Sequence, residues 1–408
     1  MKILVVTQYF WPENFRINDL VDGLISVGHE VTVLTGKPNY PAGKYFSGYG
    51  VFSKNTEYRN GVRIFRVPLI PRGEGGAIRL VLNYISFVVF GTLLAPFYCV
   101  GDYDTVFVYE PSPITVGIPA RFIGWLKKAP VFFWVQDLWP ESLVATNTTS
   151  NKYIISIVRA LAGWIYRGCD QVLIQSKAFS ESIKSFGIND NRIKYFPNFA
   201  EELYKPKSCN LEHSPVALPN GFIAMFAGNI GVAQDFETIL SAAEISMSNK
   251  NVHWVIVGNG RKFDWLKEEI GKRRLDSNFH LLGRHPIESM PDFFACADVM
   301  LVSLKKEPIF SLTIPAKVQS YMACAKPIIA SLDGEGARTI IEANAGIAVG
   351  AESPNELAKA VISMAGMDRQ ERVRMGENAL EYYNQFFDRG ILINKLNNWM
   401  KDSIRESH

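Results

Sequence analysis

Short apolar runs alternate with amphipathic stretches along most of this 408-residue chain. In the first half, segments 2–7, 30–35, 62–67, 105–109, 131–136, 171–174 and 193–196 read as strands. Segments 16–26, 114–126, 152–167 and 176–185 carry helical periodicity. Strand–helix alternation at this spacing predicts an α/β fold built on a doubly wound parallel sheet. Such sheets bind ligands at the carboxyl ends of their strands, so the loops there hold the candidate chemistry. A second sheet is predicted to start at Phe222, after a polar, proline-containing linker over 200–220. Residues from about 368 onward read as helix. Tyr382, Phe386, Phe387, Leu392, Leu396 and Trp399 give the last stretch an apolar face. The expected domains are 1–200, with 380–408 packing back onto it, and 201–379.

One stretch departs from the alternation. Residues 80–100 carry no charge over 21 positions, enough to span a bilayer as one helix. Asn83, Ser86, Thr92, Gly91 and Pro96 interrupt it, and a strand follows at once. A buried or membrane-surface helix is therefore the stronger expectation. Upstream lie Arg59, Arg63, Arg66, Arg72 and Arg79 against Glu57 and Glu74, a bias suited to an anionic leaflet.

Composition adds three constraints. Residues 1–200 hold 20 Lys and Arg against 14 Asp and Glu, whereas 201–408 hold 23 against 26. A mildly basic first half fits an anionic surface or a diphosphate, and is too weak for nucleic acid. The five cysteines form no C-x-x-C pair, so neither a disulfide framework nor a zinc site is expected. The amino terminus runs straight into a strand, with no signal-peptide pattern.

The most informative motif lies between Ser311 and Ala330. A polar loop precedes Pro315, placed to open a helix running to about Cys324, with Thr313 as a plausible cap. Lys326-Pro327 ends that helix, and Ile328-Ile329-Ala330 reads as a buried strand. Uncapped amides with Lys317 one turn in suit an anion such as a diphosphate. An exposed lysine at a plain strand–helix joint is the bland alternative.

Pro-x-Lys followed by Tyr-Met-Ala-x-x-Lys-Pro-Ile-Ile-Ala resembles the donor-site helix of family-4 retaining glycosyltransferases. Residues 28–35 resemble the second strand of that family, and Asp137-Leu138-Trp139-Pro140-Glu141-Ser142 resembles a segment of a bacterial O-antigen and capsule subgroup that includes L-fucosamine transferases. The resemblance implies the GT-B fold: two Rossmann-like domains facing a cleft, with a carboxy-terminal helix crossing back. It implies a UDP-sugar donor on the second domain and a polyisoprenyl-diphosphate-linked saccharide acceptor on the first. No cofactor and no metal are expected. The enzyme is expected in the cytoplasm, peripheral on the inner membrane's cytoplasmic face.

By the same resemblance, donor contacts fall on Gly228, Asn229, Gly231, Gly258, Gly260, Arg261, Arg284, Thr313, Ile314, Pro315 and Ser320. Lys317 is the residue expected to stabilise the leaving diphosphate. The family's Glu-x7-Glu pair falls on Leu312 and Ser320, so Glu335 is a candidate replacement contact. Asp137 and Glu141 sit where an acceptor hydroxyl would arrive, and are the candidate acid–base groups. Trp11, Asn14, Tyr109 and Glu110 are candidate acceptor contacts; Tyr109 stands where the family often has histidine. A non-catalytic membrane-bound subunit of the same fold and a UDP-sugar 2-epimerase remain the alternatives.

Overall fold

The computed structural model describes residues 1–73, 76–145, 149–209 and 216–406. Within it, residues 210–215 of the predicted linker, and Glu74, lie outside the described residues. The chain forms two units, Met1–Pro197 with Gly390–His408, and Asn198–Arg389.

The first unit is built on eight strands: β1 (Lys2–Val6), β2 (Glu30–Gly36), β3 (Thr56–Arg59), β4 (Val62–Val67), β5 (Thr105–Glu110), β6 (Val131–Val135), β7 (Gln171–Ile174) and β8 (Ile193–Tyr195). Their order is β3-β4-β2-β1-β5-β6-β7-β8. Every pair is parallel except β3 with β4. Strands β5 and β6 are buried along their whole length, which is why they read as unbroken apolar runs. The sequence pattern misses β3, a half-exposed edge strand, Thr-Glu-Tyr-Arg, with no apolar face to betray it.

The helices of this unit are α1 (Ile17–Ser26), α2 (Ala77–Tyr98), α3 (Gly117–Lys127), α4 (Glu141–Ala145), α5 (Lys152–Arg167) and α6 (Phe179–Lys184). Helix α2 runs unbroken through Gly91 and Pro96. It carries apolar residues on both sides: Phe87 and Ala95 are buried. Asn83 and Ser86 are buried, while Ile78, Val81, Leu82, Ile85, Val89, Leu93 and Phe97 are exposed. The buried polar groups are satisfied locally: Asn83 donates to the Ile70 carbonyl at 2.6 Å, and Ser86 Oγ accepts from the Ile70 amide at 2.9 Å. Gly91 lets α3 approach α2 at Pro119, and Gly117 brings α3 against Ile165 of α5.

The second unit carries β9 (Phe222–Ala227), β10 (Val252–Val257), β11 (Phe279–Gly283), β12 (Val299–Ser303), β13 (Ile328–Ser331) and β14 (Gly346–Val349), in the order β11-β10-β9-β12-β13-β14. All its pairs are parallel. Its helices are α7 (Phe236–Ile245), α8 (Phe263–Lys272), α9 (Met290–Cys296), α10 (Pro308–Ser311), α11 (Ala316–Ala323), α12 (Glu335–Glu342), α13 (Pro354–Gly366) and α14 (Arg369–Phe386). The last helix, α15 (Arg389–Glu406), joins the first unit from Gly390, where Trp399 meets Phe196 with ring centroids 6.2 Å apart.

Three expectations need correction. The return to the first unit begins at Gly390 and not at 380, because Ala379, Tyr383 and Phe387 are buried in the second unit's core beside Tyr321. The chain after Ala200 is not a free linker. Tyr204 stacks on Phe294 at 5.6 Å and Lys207 pairs with Asp292 at 2.8 Å. Cys209 and Cys296 are joined by a disulfide, contrary to the expectation of none. Residues 204–209 lie along α9, and that brings together two cysteines 87 positions apart.

Candidate active site

In each sheet the strand order reverses once, between β1 and β5 and between β9 and β12. Ligand crevices of open α/β sheets lie at the carboxyl ends of the strands flanking such a reversal. Both clusters of chemically notable residues sit there.

In the second unit, Pro315 occupies the N-cap position with extended ψ of 131°, and α11 starts at Ala316 rather than at Pro315 itself. Thr313 does not cap it: its hydroxyl donates to the Phe310 carbonyl at 3.0 Å. The first-turn amides of Ala316 and Lys317 therefore have no helical acceptor. Lys317 reaches across to the end of β9. Its Nζ lies 3.5 Å from the centroid of the Phe226 ring, sealed from solvent and without a hydrogen-bond partner. Burial lowers its pKa to about 7. An unpaired buried ammonium is costly, and an anion placed against it would offset that cost.

Two glycines make the approach. Gly228 has φ 140°, and a Cβ there would sit 3.3 Å from Lys317 Nζ. Gly258 has φ 151°, and a Cβ there would sit 1.9 Å from the Gly228 carbonyl oxygen. The loops after β9 and β10 are thereby clasped, with Ile230 N donating to the Asn259 carbonyl at 2.9 Å. Asn229, Gly231 and Gly260 share this clasp. Gln234 caps its own loop, accepting from Gly231 N at 3.1 Å. Arg261 and Arg284 are exposed, at the ends of β10 and β11. Ile314 is buried in the core. Ser320 is also buried, its hydroxyl turned back to the Ala316 carbonyl at 3.5 Å, so a free ribose donor there is not supported. Glu335 opens α12 and pairs with Arg338 at 2.6 Å. Its neighbour Gly334 packs on the Ser311 carbonyl so closely that a Cβ would lie 1.9 Å away, which sets Glu335 beside the 311–315 loop.

One positioning residue escaped sequence reasoning. The Tyr321 hydroxyl accepts from Ala227 N and donates to the Ala227 carbonyl, each at 3.1 Å. It pins α11 to the last residue of β9 and so holds Lys317, one turn earlier, at Gly228.

In the first unit, Glu110 ends β5 fully buried. Its carboxylate accepts from Trp139 Nε1 at 3.0 Å and from the Asp137 amide at 3.4 Å. Burial, and then the charge of Asp137 beside it, hold the Glu110 carboxyl well above the usual range. Burial alone pushes Asp137 up to about 7. Glu141, in the first turn of α4, pairs loosely with Arg159 at 3.8 Å. Tyr109 is 5% exposed and packs on Trp134, so it is a core residue and not a ligand contact. Glu110 is likewise enclosed, its carboxyl engaged by Trp139 and the Asp137 amide. Trp11 lies under the Arg59 guanidinium at 5.5 Å, and Asn14 is exposed.

The basic stretch upstream of α2 is smaller than the sequence suggests. Arg66 is fully buried on Glu57 and the carbonyls of Gly36 and Trp11, and Arg59 pairs with Asp22 at 3.4 Å. Among the described residues no cluster of His, Cys, Asp or Glu has metal-ligand geometry.

Two α/β units, each built on a largely parallel sheet with one reversal of strand order, have the GT-B architecture. Known proteins agree. The family model described as glycosyl transferases group 1 matches residues 212–382, and the glycosyl transferase 4-like domain matches residues 14–198. The chain is thus a family-4-like glycosyltransferase. It is 28% identical to the probable glycosyltransferase WbjE of Pseudomonas aeruginosa over 60% of this chain and 62% of that protein, so the match spans less than two thirds of that relative. It is 23% identical to the putative colanic acid biosynthesis glycosyl transferase WcaI of Escherichia coli K12, covering 79% and 81% of the two chains. Among solved structures, sucrose-phosphate synthase from Thermosynechococcus elongatus superposes with a TM-score of 0.75 at 15% identity, covering 99% of each chain. Anabaena HepE in complex with UDP gives 0.67 at 16% identity, covering 98% and 100%.

Proposed function

We propose that the enzyme transfers a sugar from a UDP-sugar to a lipid-diphosphate-linked saccharide in the synthesis of a surface polysaccharide, with retention at the anomeric carbon. The observation that carries the donor half is the sealed, unpartnered Lys317 ammonium between Phe226 and Gly228. HepE binds UDP, and the WcaI name places that relative in polysaccharide synthesis; both support the same reading. The donor diphosphate lies against Lys317 and the α11 amides, with Gly228 and Gly258 keeping the backbone low enough to admit it. The acceptor hydroxyl attacks C1 from the face the diphosphate leaves. The C1–phosphate oxygen bond breaks, and the hydroxyl proton passes to the departing phosphate. Asp137 orients the attacking hydroxyl. No metal is required by this scheme. An N-acetylated 6-deoxyhexose such as N-acetyl-L-fucosamine is the first donor sugar to test.

The acceptor's lipid is met by the first unit. Helices α2, α3 and α5 are neighbours and together carry Arg79, Arg121, Lys127, Lys152, Arg159 and Arg167, with no carboxylate. Beside the apolar face of α2 they expose Trp125, Leu126, Tyr153, Ile157 and Trp164. An apolar surface set among cations fits an anionic leaflet. It also fits a place on the cytoplasmic face of the inner membrane.

Purified protein, radiolabelled UDP-sugars and isoprenoid-diphosphate saccharides test the reaction. Transfer with retained configuration is expected. A C2-epimerised product formed without acceptor would instead identify an epimerase, and inertness toward every donor a non-catalytic subunit. Asp137→Asn is expected to lower kcat on the order of 10²-fold above pH 7. The wild-type rate rises through pH about 7 as Asp137 ionises, and the Asn variant loses that limb. Because the folded Asp137 carboxyl is raised above its unfolded value, its protonated form is favoured by folding. The associated stability is lost as pH rises through about 7. Calorimetric scans should therefore show the Asn variant more stable than wild type above that pH.

A further inference from the structure

One cation of the first unit has no carboxylate partner among the described residues, and the donor site does not use it. Arg72 lies in the loop between β4 and α2. Its backbone amide donates to Asn39 Oδ1 at 3.1 Å, and its Nη1 donates to the Tyr9 hydroxyl at 3.3 Å. The guanidinium carbon is 5.9 Å from the Tyr9 ring centroid and 5.3 Å from that of Tyr40. Phe15 completes the ring cluster, 5.0 Å from Tyr9 and 5.2 Å from Tyr40. Tyr84 of α2 is also within electrostatic reach of both Arg72 and Tyr9. Burial raises the phenols of Tyr9 and Tyr84, so neither is an anion near neutral pH. Among the described residues no ion pair reaches Arg72, whereas Arg59 and Arg66 in the same region are both paired.

The nearby carboxylate is engaged elsewhere. Glu13 is buried and accepts from the amides of Asn39 at 2.8 Å, Tyr40 at 2.7 Å and Phe10 at 3.3 Å. It clamps the loops after β1 and β2, and so fixes the Tyr9–Tyr40 pair between which Arg72 lies. Gln8 donates to the Tyr9 hydroxyl at 3.3 Å and to Asn83 at 2.6 Å, which ties the same cluster to the polar face of α2. The fork is thus held in place by aromatic faces and by its own backbone, and its charge is left unspent. A planar fork held this way matches a phosphate oxygen pair.

We propose that Arg72, on its Tyr9–Tyr40–Phe15 platform, is the seat for the phosphate of a long-chain lipid phosphate or diphosphate. The hydrocarbon of that lipid would follow the exposed apolar face of α2, which begins five residues later. This deepens the acceptor half of the reading above and rests on it. Phosphate could arrive on the isoprenoid acceptor or on a bulk phospholipid, and the two sources separate by experiment.

The test is binding, so it does not depend on knowing the sugar. Farnesyl diphosphate, farnesol and inorganic pyrophosphate are titrated calorimetrically against the full chain with UDP saturating, so that the Lys317 seat is occupied. Wild type is expected to bind farnesyl diphosphate at least tenfold more tightly than farnesol. Arg72→Ala should abolish that difference, Arg72→Lys should keep part of it, and UDP affinity should be the same in all three. Flotation on vesicles of anionic phospholipid should be unchanged in Arg72→Ala. Equal binding of farnesyl diphosphate by wild type and Arg72→Ala overturns the seat. Loss of vesicle flotation with unchanged farnesyl diphosphate binding overturns it in favour of bulk headgroups. A chain that shows the Arg72-dependent binding but transfers no sugar would retain the seat and refute the transferase reading instead.

Discussion

Replacing Lys317 by Met should make the protein more stable and nearly inactive. The two effects have one cause. The ammonium rests on Phe226 with no hydrogen-bond partner, and burial has brought its pKa down to about 7. Methionine fills the same channel without a charge to desolvate, a gain on the order of 2 kcal/mol. For a domain of this size that raises the unfolding temperature by roughly 4–8 °C. The pH dependence follows from the direction of the shift. The folded lysine releases its proton near 7, while the unfolded one keeps its proton to its ordinary, higher value. Wild-type stability therefore rises with pH across that window, and the penalty is largest below pH 7. The advantage of Lys317→Met should accordingly be greatest at pH 6 and shrink toward pH 9. Turnover should fall by about 10³-fold, the scale of losing one preorganised electrostatic contact to developing charge. Differential scanning calorimetry and initial rates on the same preparation check both. A variant less stable than wild type at pH 6 would show that the lysine is not held at a cost.

The second large effect concerns α2. A triple variant, Ile85→Asp, Leu93→Asp and Phe97→Asp, should release the protein from vesicles containing anionic lipid. Each of these side chains is worth about 1.5–3 kcal/mol when buried in hydrocarbon, so partitioning should drop at least 100-fold. Binding of UDP should persist, because the donor seat belongs to the other unit. Folding should also persist, since all three side chains are exposed and each substitution is expected to cost under about 0.5 kcal/mol. High salt should weaken wild-type binding through the Arg and Lys residues of α2, α3 and α5. Vesicle co-flotation measures both. Wild-type protein that ignores vesicles, or a triple variant that still floats with them, would remove the bilayer from the reading.

The sequence by itself determined more of the fold than of the site. Parallel strands buried on both faces must be apolar throughout, so β1, β2, β5, β6 and β9 declare themselves as runs of Val, Ile, Leu and Phe. The half-exposed β3 has no such signature. Lys317 was legible because a helix start is a local event: a proline, free amides and a lysine one position into the helix lie within a few residues. Thr313 is not the cap because α11 starts at Ala316 with Pro315 in the cap position, and the Thr313 hydroxyl turns to the Phe310 carbonyl of α10. Ser320 and Tyr109 stand at motif positions where the family often has Glu and His, and packing turns both inward.

What only the tertiary structure decided are the meetings of residues far apart in the chain. Tyr321 holds Ala227 across 94 positions, Arg72 meets Tyr9 across 63, and Cys209 is joined to Cys296 across 87. The orientation of α2 belongs with them. Composition shows an apolar helix, but which side it buries depends also on Asn83 and Ser86 finding Ile70 and Gln8 in the loops after β4 and β1. Local pattern fixes backbone conformation because its hydrogen bonds close over a few residues. Partners and burial are set by strand order, and strand order is a property of the whole sheet.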